Sequence, residues 1–258
     1  MNITKQVNIK RIKNELQEDT LDLIIEEIPL DIFVNHEFYA TLMCTPIEVV
    51  ELAVGFLFSE GVISNTSSII STEEVYENRI CIILDHEITV DESSARAITS
   101  GCGNGSIHVI SLEECSIKFI DSNCKFSSID ILKLMSEFNS KSELFKQTGG
   151  VHSCCLCTEN SIILFSEDIG RHNALDKAIG KALIRNIDLS EIIVMTTGRI
   201  SSDIVVKVAK AGVQIIVSHS APTSLAVSIA KAANITIIGF ARGLRMNIYC
   251  NDYRIFYS

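Results

Sequence analysis

Between Glu191 and Phe240 the chain reads EIIVMTTGRISSDIVVKVAKAGVQIIVSHSAPTSLAVSIAKAANITIIGF. Three short runs rich in Ile and Val, Glu191–Thr196, Val213–Ser218 and Ile235–Phe240, have the length and texture of buried strands. Between them lie two stretches of helical length, Ser202–Ala211 and Thr223–Ala233, each opened by a hydroxyl residue able to cap. A strand, a helix and a second strand in succession form a right-handed crossover with parallel neighbours. The fold class expected is therefore α/β, with a mostly parallel sheet covered by helices.

Working outward, a helix is expected over Asn173–Arg185, preceded by a hairpin of Val151–Cys157 with Ile162–Phe165 around Asn160. Another helix is expected over Ser128–Lys146, with Ile129, Leu132, Met135 and Phe138 on one side. Toward the N-terminus, Leu21–Ile28 and Ile32–Cys44 alternate as strands do, the second folding back near Asn35 and His36. Thr45-Pro46-Ile47-Glu48 has the form of a capping box, opening a helix with Val50, Val54, Leu57 and Phe58 inward and Gly61 as its stop. Short strands are expected at Glu74–Tyr76 and Arg79–Leu84. Two parts result: a smaller α+β region over 1–126 and an α/β domain over 127–258.

Composition narrows the function classes. The 258 residues carry a formal net charge of −10 and a pI near 5.1, which argues against nucleic-acid binding, because neutralising phosphates needs clustered Lys and Arg. The N-terminal MNITKQVNIKRIKNEL lacks the apolar core of a signal peptide, and no apolar run approaches the ~20 residues that span a bilayer. Nine cysteines without a secretion signal point to a reducing, cytoplasmic setting, and their odd number and irregular spacing do not resemble a disulfide framework.

In open α/β sheets, ligands bind beyond the carboxyl ends of the strands. Here those ends run into Thr196-Thr197-Gly198-Arg199, into Ser218-His219-Ser220-Ala221-Pro222-Thr223, and into Phe240-Ala241-Arg242-Gly243-Leu244-Arg245. Hydroxyls, helix N-termini and Arg199, Arg242 and Arg245 on one rim suit the phosphates of a nucleotide-like or pterin-like ligand. For any one loop, ordinary helix capping explains the Ser and Thr residues as well. Upstream, Gly170-Arg171-His172-Asn173 places Arg171 and His172 at the mouth of the same sheet, and His152 follows the flexible pair Gly149-Gly150.

Among the thiols, Cys44, Cys81, Cys115, Cys124 and Cys250 lie in or beside apolar runs and read as packing residues. Cys154-Cys155-Leu156-Cys157 lacks the second pair that a zinc site usually needs, and strand geometry turns Cys154 away from Cys155 and Cys157. Cys102 differs. It sits in SGCGNGS, Ser100–Ser106, where successive backbone N–H groups can form an anion-binding nest that favours a thiolate. The context marks a reactive thiol without naming its reaction.

Several segments together resemble the formate dehydrogenase accessory sulfurtransferases, the FdhD family of sulfur carriers. They are EEIPLDIFVN (26–35), LMCTPIEVVELAVGFLFSEGVI (42–63), SGCGNGS (100–106), TGGVH (148–152), EDIGRHNALDKAIG (167–180), TTGRISSDIVVKVAKAGVQIIVSHSAPTSLAV (196–227) and TIIGFARGLRMNIY (236–249). The resemblance implies a cytidine deaminase-like fold for the C-terminal domain. It also implies a sulfur transfer in which Cys102 accepts a persulfide from a cysteine desulfurase. The sulfur then goes to the molybdenum (or tungsten) bis(molybdopterin guanine dinucleotide) cofactor, for insertion into formate dehydrogenase. By position, Phe240, Ala241, Arg242, Gly243, Leu244 and Arg245 match the family's cofactor-binding segment. Many members carry Cys-x-x-Cys in the glycine-rich loop, whereas here the second position is Gly105, so Cys102 is expected to act alone.

Two rivals stand beside this reading. A zinc-dependent deaminase needs His-x-Glu and Pro-Cys-x-x-Cys, and neither occurs, so no tightly bound zinc is expected. A non-catalytic chaperone for the molybdenum cofactor would share every pocket feature and differ only in the fate of sulfur on Cys102. A homodimer is the default oligomer by symmetry alone.

Overall fold

The computed structural model describes residues 2–75, 78–88, 96–98, 119–121 and 124–257, with backbone alone at 74–75 and 96–98. Cys102 and Cys115 lie outside the described residues. The chain opens with a two-stranded antiparallel ribbon, β1 (Thr4–Lys13) and β2 (Leu16–Ile25), turned at Asn14-Glu15. A hairpin follows, β3 (Ile28–Val34) and β4 (Glu37–Cys44), turning at Asn35 and His36 as expected. Both residues have positive φ (49° and 69°), which a two-residue turn matched to strand twist requires. After α1 (Val49–Glu60) come β5 (Ile69–Val75), β6 (Arg79–Leu84) and β7 (Arg96–Ile98), giving a five-stranded sheet in the order β5-β6-β3-β4-β7.

The second half begins with β8 (Phe126–Ser127), α2 (Ser128–Lys141) and α3 (Glu143–Thr148). It continues through β9 (His152–Cys157), β10 (Ile162–Asp168), α4 (Arg171–Ile184), β11 (Ile193–Thr196), α5 (Ser202–Lys210), β12 (Ile215–Ser218) and α6 (Ser224–Ala233). Last are β13 (Thr236–Arg242), β14 (Arg245–Cys250) and β15 (Ile255–Phe256), the last pairing with β8. The central sheet has the order β10-β9-β11-β12-β13-β14.

That sheet is mixed, which corrects the expectation of a mostly parallel one. Only β11–β12 and β12–β13 are parallel; β10–β9, β9–β11 and β13–β14 are antiparallel. Crossover helices α5 and α6 join three strands in parallel, but short turns join the outer pairs and a short turn reverses the chain. FARGLR is itself one of these turns: Arg242 pairs with Arg245 and Gly243 (φ 59°) turns the corner into β14, a strand beyond those expected from the sequence.

Two helical expectations also change. The segment 128–146 is two helices, because Ser142 is extended (φ −77°, ψ 103°) and its hydroxyl accepts the Phe145 N–H to cap α3 at 3.0 Å. The buried face is Ile131, Leu134, Met135 and Phe138, and Ile129 is 44% exposed. A strict three-residue spacing drifts around a helix, whereas 131, 134, 135 and 138 keep its period. Nor does Thr45 cap α1: the residue before the helix, Glu48, is left-handed (φ 56°) without a side-chain cap, and Thr45 is fully buried in other bonds. Gly61 ends α1 as expected, at φ 86° with its N–H on Phe58 and Leu57 carbonyls.

The two halves meet where α1 crosses α4 backbone to backbone. A Cβ on Gly55 would lie 1.8 Å from the Asp176 carbonyl oxygen, and one on Gly180 would lie 1.9 Å from that of Glu51. One apolar core lies between the N-terminal sheet and α1, a second between the central sheet and α4–α6, and a third between the sheet's other face and α2. The arrangement leaves the carboxyl ends of β11, β12 and β13 facing one side.

Candidate functional site

The loops after β11, β12 and β13 are stitched into one continuous rim by their own backbones. The His219 N–H donates to the Thr196 carbonyl (3.2 Å), the Ile200 N–H to that of Ala221 (3.1 Å), and the Phe240 N–H to that of Ser220 (3.0 Å). The buried Ser218 hydroxyl donates to the Gly198 carbonyl at 2.6 Å and accepts the Ser220 N–H at 2.9 Å. Thr223 is spent on capping α6, its Oγ1 accepting the Ala226 N–H at 3.2 Å. The rim is thus pre-formed, and its position follows from the parallel core of the sheet.

Its charge is supplied by Arg199, Arg242 and Arg245, all exposed and without a salt bridge among the described residues. Phe240 sits in a left-handed conformation (φ 52°), and the Arg242 guanidinium lies 5.8 Å from its ring centre, a cation–π distance. The turn projects Leu244, which is 98% exposed, while Ala241 is buried in the core and offers a ligand no side-chain surface.

Beside the rim opens a cavity of about 580 Å³, a size that suits a small molecule. Its apolar walls include Phe138, Phe145, Val151 and Ile169, and its polar groups include His152, Thr197 and His219. Of the residues singled out from the sequence as cofactor ligands, His219 lines it, and His152, flagged after the double glycine, does so too. The Thr197 hydroxyl accepts the Ser153 N–H at 3.0 Å and bonds His152 Nδ1 at 3.2 Å, which fixes the imidazole against the wall. Burial, and then the charge of Arg171, pushes the His152 pKa down, so the ring stands neutral. Phe138 and Phe145 were not anticipated as cavity residues; an aromatic on a helix gives no hint of which wall it will form.

Arg171 and His172 are placed next to this site, not in the cavity wall. Arg171 packs along Gly198, where a Cβ would lie 2.8 Å from that of Arg171. His172 is 9% exposed, and its Nε2 has no hydrogen-bond partner among the described residues. Burial, helped by the charges of Lys207 and Arg171, pushes its pKa down to about 3.

The rest of EDIGRHNALDK joins the halves. Asp168 accepts the Thr45 N–H (3.1 Å) and hydroxyl (3.0 Å), the Gly170 N–H (3.0 Å), the Asn173 amide (2.9 Å) and the Lys177 ammonium (2.6 Å). Asn173 also donates to the Met43 carbonyl at 2.8 Å, and Asp176 accepts the Ser59 hydroxyl at 2.7 Å and bonds Lys207. Glu167 bonds the hydroxyls of Ser142 and Ser153, and Ser142 and Ser153 line the cavity. The motif therefore holds α4 and the cavity floor against the N-terminal half.

Cys154 faces one core and Cys155 and Cys157 the other, as alternation along a strand dictates, and all three are fully buried. Burial pushes the thiols of Cys154 and Cys155 well up, and that of Cys44 up to about 12. Such thiols are poor nucleophiles. Cys81 and Cys250 are likewise buried, while Cys124 is half-buried. Among the described residues no cluster of three or more His, Cys, Asp or Glu side chains is placed to hold a metal ion.

The strand-end rim of a mixed α/β sheet thus carries three arginines beside a partly aromatic cavity. The chain belongs to the FdhD/NarQ family, whose profile matches residues 25–256. It is similar to the sulfur carrier protein FdhD of Bacillus pumilus, 37% identical over 96% of this chain and 98% of that one. The Bacillus subtilis protein of the same name is 38% identical over 91% of this chain and 90% of its own. A crystal structure named as a formate dehydrogenase accessory protein from Desulfotalea psychrophila superposes with a TM-score of 0.82 at 26% identity, covering 99% of this chain and 100% of the other.

Proposed function

We propose that the protein is a sulfur carrier for formate dehydrogenase maturation, which takes sulfur as a persulfide on Cys102 and passes it to a molybdenum or tungsten bis-guanine-dinucleotide cofactor. The observation that carries the reading is the single rim of three loops, with Arg199, Arg242 and Arg245 beside the cavity, in a chain whose relatives are named sulfur carriers. Three guanidinium groups match the phosphates of a dinucleotide, and the aromatic, imidazole-bearing cavity matches a flat heterocycle.

In the loading step the Cys102 thiolate attacks the outer sulfur of a cysteine desulfurase persulfide. A new S–S bond forms, the old one breaks, and the desulfurase cysteine leaves as a thiolate, so no oxidant is needed. In the delivery step the cofactor would be the acceptor substrate, held by the rim. The Cys102 S–S bond would break, Cys102 would leave as a thiolate, and the outer sulfur would pass to the metal as sulfide, with two electrons taken from the reduced metal itself or from a reducing thiol. We assign cofactor binding to 127–258, read as a deaminase-like domain, and the Cys102 segment to 1–126. A reducing cytoplasm fits this chemistry, and the seven described cysteines are free thiols. No described helix is long and apolar enough to cross a membrane.

The test is genetic and biochemical together. Cys102→Ser should abolish formate dehydrogenase maturation yet keep affinity for the cofactor, whereas Arg242→Ala with Arg245→Ala should lose that affinity. An active dehydrogenase made with Cys102→Ser as the sole carrier would overturn the proposal.

A further inference from the structure

Glu167 stands behind the cavity and lines none of it, yet one of its oxygens joins two of the walls. Its Oε1 accepts the Ser142 hydroxyl from the α2–α3 junction and the Ser153 hydroxyl from β9, the latter at 3.3 Å. Both serines line the cavity, and both are buried.

Each serine leads to a wall. Ser142 Oγ also accepts the Phe145 N–H, which opens α3 and sets the Phe145 ring on one side. Ser153 donates its N–H to Thr197 Oγ1, the atom that bonds His152 Nδ1, and its carbonyl accepts the Thr197 N–H at 3.1 Å. α3 has only six residues, so its own hydrogen bonds do little to fix its angle. Glu167 is by contrast anchored: it pairs with Ser153 across β10 and β9, and its carbonyl accepts the Lys177 ammonium at 3.2 Å.

We infer, resting on the cofactor reading above, that Glu167 is a positioning residue for the ligand. Ionised, it holds the Phe145 wall at a fixed spacing from the His152 wall, so that a flat heterocycle is gripped between them. The charge matters because a hydroxyl bonds a carboxylate more strongly than a neutral acid. Burial raises the Glu167 pKa, as do Glu48 and Glu143 nearby, against the pull of the two serine hydroxyls. The other charged or titratable groups around it are His152 on β9, Asp168 on β10, and Lys177 and Lys181 on α4. Lys177 is paired with Asp168 and Lys181 with Glu48. With the folded pKa raised, the carboxylate is ionised above that value and loses its charge as pH falls through it. Ligand affinity falls with it.

Calorimetric titration of the full chain with guanosine, which has no phosphate to titrate, tests this; GDP is the probe that also engages the rim. Wild-type affinity for guanosine should fall about tenfold as pH drops from about 7.5 to about 5. Glu167→Gln should bind at the weaker level at both ends, as should Ser142→Ala, and the double variant should be no weaker than either. Ser142→Thr, which keeps the hydroxyl, should restore the wild-type profile. Ser142→Ala decides the matter where Glu167→Gln does not fold. A flat wild-type profile would overturn the inference. So would a slope that survives in Glu167→Gln, which would belong to His152 or His219 on the cavity wall. A wild type that binds GDP but not guanosine would overturn it and leave the rim reading standing, whereas one that binds neither would sink both. The readout makes no use of Cys102, so sulfur loading succeeds or fails independently of it.

Discussion

Asp168 and Lys177 form a 2.6 Å ion pair in which neither side chain has any exposed surface. The pair ties the start of α4 to Thr45 in the N-terminal half, since Thr45 Oγ1 donates to Asp168 and accepts from Lys177 at 2.7 Å. Removing one partner leaves an uncompensated buried charge, which costs about 3–5 kcal/mol. Asp168→Ala should therefore lower the denaturation midpoint sharply, and the Lys177→Met, Asp168→Leu double variant should recover part of the loss. Chemical denaturation of the three proteins measures both effects.

The α1–α4 crossing predicts a second sensitivity. Gly55→Ala or Gly180→Ala drives a methyl group into a backbone carbonyl that no rotamer change can move. Overpacking of this kind costs about 1–3 kcal/mol, and here the helices must also separate. A Tm unchanged in either variant would show that the halves are not in such close contact.

Acid should destabilise the fold through His172. Its folded pKa of about 3 lies below the ordinary 6.5, so between those values the unfolded chain binds the extra proton. Stability is then full above 6.5 and falls as pH drops toward 3, by up to ~1.4 kcal/mol per pH unit for this one group. His172→Gln should flatten that slope; identical slopes in denaturant midpoints against pH would contradict the assignment.

Thiol reactivity should separate the cysteines. Brief treatment of the folded chain with iodoacetamide should label Cys124 and leave Cys154, Cys155 and Cys157 unmodified until denaturant is added, as peptide mass mapping will show. Cys154→Ala and Cys157→Ala should load sulfur as the wild type does, since neither thiol reaches the surface.

What the sequence made legible was local. The alternation of strands and helices from Val151 to Phe240 carries its own periodicity, and the elements stand where it places them, although of the three helices only α6 is capped by a side chain, that of Thr223. The antiparallel pairing of β9 with β11 joins residues some forty positions apart, and the hairpin at Gly243-Leu244 follows no alternation signal, so local pattern alone favours a mostly parallel sheet. Thr45 illustrates the same limit. Its local context, Thr-Pro-Ile-Glu, favours a capping box, but Asp168 lies 123 positions away and claims the hydroxyl. The rim arginines and His219 were legible because strand ends are legible. The cavity's far wall, Phe138 and Phe145, was not, because it depends on the break at Ser142 and the docking of α3.

The central claim is that Cys102, without a second cysteine at Gly105, carries the sulfur. Intact-mass and peptide mass spectrometry after incubation with a cysteine desulfurase and cysteine addresses it directly. The account predicts a gain of one sulfur atom on the peptide containing Cys102, reversed by a reducing thiol and absent in Cys102→Ser. A wild-type chain that gains no sulfur, or gains it equally in Cys102→Ser, would contradict it.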